Sequence, residues 1–217
     1  VFVASALLVL GVSILIAKRV FLTLRRFRER SSEISREARI LGSVTEHPGV
    51  FLIQADQPAA YCVAGPPHAV VVSTGAVARL KETELAAVLA HESAHLSSRH
   101  PQIKMTLRAL ASSVPRVPLF RAAAATVEFL VEMCADDRAA RSHGRDALLD
   151  SLLVFTAPYR LSPGGALGVA DQGFTLRASR LSTSGGGVGE TLNRVVLLAL
   201  MALIISAPAV VIALCQT

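Results

Sequence analysis

The chain has 217 residues, 52% of them hydrophobic, with a mean hydropathy of +0.51 and a formal net charge of +6. That length allows one medium domain plus membrane segments, and so apolar a composition excludes both an ordinary soluble globule and a disordered chain. Two uncharged runs, 1–17 and 195–215, account for the excess.

The first run, VFVASALLVLGVSILIA, reads as a transmembrane helix over residues 1–17. A signal peptide would carry its basic residues ahead of the apolar run, whereas Lys18 and Arg19 follow it. Residues 18–44 read as a basic juxtamembrane helix. Arg25, Arg26, Arg28, Arg30 and Arg36 are interleaved there with Glu29, Glu33 and Glu37, whose spacing permits i,i+4 pairs. Positive charge concentrated beside an apolar run points to the lipid bilayer as a partner and away from nucleic acid.

A compact domain is expected over 45–181. Val50–Gln54, Ala60–Ala64 and Ala69–Ser73 read as short strands separated by Asp56-Gln57-Pro58 and Gly65-Pro66-Pro67, the pattern of a small meander. A helix then starts near Lys81–Thr83, with Glu82 and Glu84 at its positive end, and stops at His100-Pro101. Its apolar positions Leu85, Val88, Leu89 and Leu96 follow a helical stripe. Within it lies His91-Glu92-Ser93-Ala94-His95. Four residues apart, His91 and His95 project from one face and can share a Zn²⁺, while Glu92 can reach a water on that metal. An amphipathic helix with incidental histidines is the plainer alternative.

Residues 102–131 are apolar but interrupted by Arg108, Arg116 and Arg121 and broken by Pro115 and Pro118. Neither half reaches the uncharged length of a membrane span, so a helical hairpin at the bilayer surface is expected. The following helix carries Glu132 and Asp136 on one face of a largely apolar stretch. Buried carboxylates need partners. Glu132 can supply a third zinc ligand and Asp136 can hold a ligating histidine by its other ring nitrogen. Cys134 points away from both and reads as a small buried residue, and the three unpaired cysteines suit a reducing compartment. Helix continues to about Ser142 and again over Arg145–Thr156. Pro158 and Pro163-Gly164-Gly165 read as loops, 182–193 as a flexible linker, and 194–215 as a second transmembrane helix. Basic residues crowd the inner ends of both apolar runs, which places the domain in the cytosol of a multi-pass membrane protein.

Together His91-Glu92-Ser93-Ala94-His95 and Glu132-x-x-Ala135-Asp136 resemble the integral-membrane gluzincins: the HtpX and CAAX prenyl protease family, and most closely the BlaR/MecR antibiotic-sensor peptidases. The likeness covers about residues 45–145. It implies an α+β, mainly helical, zincin-like metallopeptidase domain with a small β-sheet, flanked by transmembrane helices, and one Zn²⁺ per chain. In zincins of this kind a sheet edge beside the metal helix pairs with an extended substrate; Ala69–Ser73 is the candidate edge here, a purely structural strand being the equal alternative.

The chemistry that follows is peptide-bond hydrolysis of a protein or peptide substrate, with zinc on His91, His95 and Glu132 and with Glu92 as general base. A tetrahedral oxyanion usually has a second donor. His143, Arg138 and Tyr159 are candidates among which the residues do not choose, and His143 before Gly144 reads equally as a helix C-terminal residue. Cleavage of a repressor or signalling protein, quality control of membrane proteins, and an inactive zinc-stapled scaffold are the functions consistent with these residues. The oligomeric state stays open, a homo-oligomer included.

Overall fold

The computed structural model describes residues 2–160 and 169–183. Within them the domain is mainly helical with one small sheet, as expected. The expected linker beyond Thr183 and the helix over 194–215 lie outside the described residues.

Helix α1 runs unbroken over Phe2–Leu41. At 1.5 Å per residue its 40 residues extend about 60 Å, far longer than a bilayer core is thick. The segments expected as two helices, 1–17 and 18–44, are therefore one, because neither proline nor a pair of helix breakers separates them. The helix stops at Leu41, so residues 43–44 are not helical as expected but form strand β1 (Ser43–Val44). Among the described residues α1 alone is long and apolar enough to cross a membrane, and its apolar window is not buried among them. On its basic part Arg25 Nε donates to Glu29 at 2.9 Å, an i,i+4 pair of the expected kind.

The remaining strands are β2 (Val50–Ile53), β3 (Ala60–Val63) and β4 (Ala69–Ser73), in the spatial order β1-β2-β4-β3. This corrects the expected meander. β4 lies between its two predecessors, parallel to β2 with Val50 opposite Val70 and antiparallel to β3 with Tyr61 opposite Val71. The reason is visible in β4 itself, whose five residues are all buried. Val70 and Val72 join Val50, Leu80 and Val88 in a core beneath one face, while Ala69 and Val71 join Ala38, Phe51 and Val63 against α1 on the other. A strand covered on both faces belongs in the centre of a sheet. The edge beside the later helices is β3.

Ser73 fixes that edge. It caps the short helix α2 (Thr74–Val77), its Oγ accepting from Ala76 N at 3.1 Å. The same oxygen accepts from Ala59 N at 2.9 Å and donates to Gln57 O at 2.8 Å, tying down the segment that leads into β3. Gly65 lets α1 approach the β3–β4 turn, since a Cβ there would meet Ser31 O at 2.2 Å.

Five helices follow: α3 (Glu82–Ser97), α4 (His100–Ser113), α5 (Pro118–His143), α6 (Arg145–Arg160) and α7 (Val169–Ser182). α3 starts where Lys81 N donates to Glu84 Oε2 at 2.9 Å, the return arm of a capping box. α4 and α5 form the expected hairpin. Pro101 does not close α3; it sits in the first turn of α4, where its missing N–H costs nothing, after Arg99 turns the chain with φ 55°. Gly144, at φ 87°, breaks α5 from α6. α7 occupies a stretch to which the sequence reading assigns no element. Its Phe174 and Leu181 pack with Ala87, Ala139, Leu148 and Leu152 in a second core among the helices.

Candidate metal centre

α3 and α5 cross beside the β3 edge, and their facing turns carry the residues singled out by spacing. One helical turn brings His91 Nε2 and His95 Nε2 to 3.1 Å apart. Glu132 Oε2, from α5, lies 3.5 Å from each. A tetrahedral zinc with bonds of about 2.0–2.1 Å holds its ligand atoms about 3.3 Å apart. The three side chains therefore fit Zn²⁺ in both chemistry and spacing, and they border the cavities described below.

Charge favours a cation at the same point. Burial opposes protonation of His91, but the carboxylates of Asp136 and Glu132 outweigh it and lift His91 to about 9. Burial likewise pushes Glu132 up, and His91 and His95 overcome it, holding that carboxyl well below the usual range. A site that draws a proton this strongly onto a buried imidazole is built to hold positive charge. Burial raises the Glu92 carboxyl, against the pull of His91 and His95.

Asp136 is almost fully buried on α5 and lies one turn from Glu132. Its Oδ1 is 3.0 Å from His91 Nδ1, a close ionic contact in which the ring N–H is not aimed squarely at the oxygen. Burial again works against the Asp136 charge, and His91 and Arg177 hold the carboxyl below its ordinary value. Arg177, from α7, donates to Asp136 through Nε at 2.8 Å and Nη2 at 2.7 Å, the paired geometry of a strong guanidinium–carboxylate contact. Its Nη1 also lies 3.6 Å from Glu132 Oε2. Arg180, one turn on, donates to Asp137 at 2.7 Å, so α7 is pinned to α5 twice. Sequence reading misses this contribution, although Phe174, Ala178 and Leu181 carry a helical apolar stripe and place Arg177 and Arg180 on a common side.

α4 also reaches the centre. His100 Nδ1 is 3.0 Å from His95 Nδ1, and Lys104 Nζ donates to Glu132 Oε1 at 3.2 Å. Burial holds His100 below its ordinary pKa. Neither residue stands out in the sequence.

Two cavities flank the metal-facing atoms, and Glu92 and Glu132 line both. One, of about 290 Å³, is bounded by Ala59, Ala60 at the start of β3, Val88, Leu152 and Phe155, with Arg177 at its wall. The other, of about 280 Å³, is bounded by Tyr61 and Cys62 of β3, Phe27 of α1, Lys104 and Arg108. Burial and the charge of Glu92 push the Cys62 thiol up to about 12, so it stays protonated.

The oxyanion candidates fare differently. His143 is the exposed last residue of α5 and lines neither cavity, and Arg138 is exposed, with Nη1 3.5 Å from Ser98 Oγ. The Tyr159 side chain lies outside the described residues. Cys134 points away from the ligands, as expected, but is exposed instead of buried, because the outer face of α5 meets solvent there.

A comparison with curated proteins gives no match. Among solved structures the chain aligns with the crystal structure of S. mikatae Ste24p at 16% identity and a TM-score of 0.40. The alignment covers 72% of this chain and 49% of that one, so the chain spans about half the length of that protein. A family model matches residues 24–148, an interval that includes the sheet, α3, α4 and α5 with all three metal-facing residues, and by that match the chain belongs to peptidase family M48.

Proposed function

We propose that this member of a metallopeptidase family is a membrane-anchored zinc endopeptidase that cleaves protein substrates at the cytosolic face. The observation that carries this reading is the convergence of His91 Nε2, His95 Nε2 and Glu132 Oε2 at 3.1–3.5 Å, beside a carboxylate that lines both flanking cavities. Zinc, when bound, supplies a Lewis acid and a water of lowered pKa. Glu92 takes the proton from the attacking water and delivers it to the leaving amine. Its burial, which raises its carboxyl, suits it to both transfers. The substrate lies extended along β3, whose outer edge is free of a strand partner among the described residues. The edge role thus passes from Ala69–Ser73 to Ala60–Val63. Successive side chains of an extended peptide point to opposite sides, and the two cavities receive those flanking the cleaved bond.

The apolar start of α1 anchors the domain, and the basic residues from Lys18 onward place it in the cytosol, with the apolar run 195–215 as a second span. The motif likeness to BlaR/MecR peptidases supports a regulatory substrate, a repressor or signalling protein. The test is reconstitution of wild type, Glu92→Gln and His95→Ala in liposomes with candidate substrates. Wild type should bind one zinc and cleave; Glu92→Gln should keep the zinc and lose cleavage; His95→Ala should lose both. Zinc bound by wild type with no cleavage of any protein would make the site a structural staple, and cleavage of only misfolded membrane proteins would replace the regulatory role with quality control.

A further inference from the structure

Every metal-facing side chain has a polar neighbour at its far atom, and two of the three neighbours come from one turn of α4. His91 faces the Asp136 carboxylate at 3.0 Å on its own side of the site. His95 and Glu132 are held by His100 and Lys104, which sit four residues apart and so share a face at the start of α4. His100 is buried, 6% exposed, and its ring meets that of His95 edge-on with centroids 4.9 Å apart. For His95 to present a lone pair at Nε2 its proton must sit on Nδ1, and a buried N–H needs an acceptor. His100 Nδ1 is that acceptor when its own proton is on Nε2. Lys104 does the equivalent for the carboxylate. By occupying Oε1 at 3.2 Å it leaves Oε2 to face the two histidines at 3.5 Å.

We propose that His100 and Lys104 are positioning residues for the metal: His100 sets the tautomer and tilt of His95, and Lys104 limits Glu132 to one presented oxygen. The chain between α3 and α4 makes this possible. Arg99 turns in the left-handed region and Pro101 fixes the first turn of α4, so that the helix starts directly over the ligands. The inference rests on the metallopeptidase reading and extends it from the ligands to the helix that supports them.

The full chain, purified in detergent, tests it through His100→Leu, which removes the acceptor, and Lys104→Met, which removes the donor. Zinc affinity is measured by competition with a chelator, and the visible absorption of the Co²⁺-substituted protein reports ligand geometry. Each variant should bind zinc about 10–100-fold more weakly, the usual consequence of losing such a partner, and should shift the Co²⁺ bands. His100→Asn, which restores a carbonyl acceptor, and Lys104→Arg, which restores a donor, should recover part of the affinity. They also carry the test should the first pair fail to fold. Wild-type affinity and an unchanged Co²⁺ spectrum in folded His100→Leu and Lys104→Met would overturn this inference alone. Wild type that binds no zinc would instead overturn the metallopeptidase reading, and this inference with it.

Discussion

α3 and α7 both serve the α5 carboxylates, and they do so in opposite ways. α3 presents two imidazole rings one turn apart, a relation written into five consecutive residues. α7 presents a cation from 41 residues beyond Asp136, and its position depends on where an apolar stripe docks. The first gives the site its ligands and the second gives it rigidity. Asp136 belongs to both, with one oxygen 3.0 Å from His91 and the guanidinium of Arg177 at 2.7–2.8 Å. Local geometry chooses the chemistry, and distant geometry holds it still.

The sharpest way to break that division is to remove the distant partner. Arg177→Met strands the Asp136 carboxylate, whose side chain is only 2% exposed, with a weakly aligned histidine as its remaining neighbour. Losing one partner of a buried ion pair costs about 3–5 kcal/mol, readable as a lower denaturation midpoint of the metal-free protein. Adding Asp136→Asn should recover much of that loss, because the stranded charge goes with it. A cost near zero for Arg177→Met would show that α7 is an ornament to the site. Asp136→Asn alone probes the α3 side. It should weaken zinc binding about 10–100-fold, or roughly 1.4–2.7 kcal/mol, by releasing the His91 ring; a chelator titration measures it, and unchanged affinity would show that α5 does not orient His91. The smallest effect is expected at the start of α3, where Glu84 accepts from Lys81 N at 2.9 Å. Glu84→Ala should cost about 1 kcal/mol of stability by thermal unfolding, with zinc affinity unchanged. A loss of zinc there would mean that the start of α3, too, belongs to the site.

What could be read from the residues follows the same division. His91, Glu92, His95, Glu132 and Asp136 stand out because helical periodicity is a local property: four residues apart means one face, whatever the rest of the chain does. The strand order does not follow from local pattern, since three short runs fit a meander as well as an inserted central strand. Ala69–Ser73 nonetheless holds the clue, for a run of AVVVS without polar alternation is the mark of burial on both faces. His100 and Lys104 pass unnoticed because Pro101 reads as an end, when it is the beginning of the helix that brings both over the ligands. Arg177 is hidden by distance: its partner lies in another helix, and a glycine- and proline-containing stretch separates them.

The continuity of α1 has a mechanical consequence. Phe27 walls the cavity that Glu92 and His95 share, and it is carried on the same unbroken rod as the apolar residues up to Ala17. Ten helical residues make a lever arm of about 15 Å. With no proline between those points, a single run of helical hydrogen bonds joins the apolar end to the wall of the metal cavity.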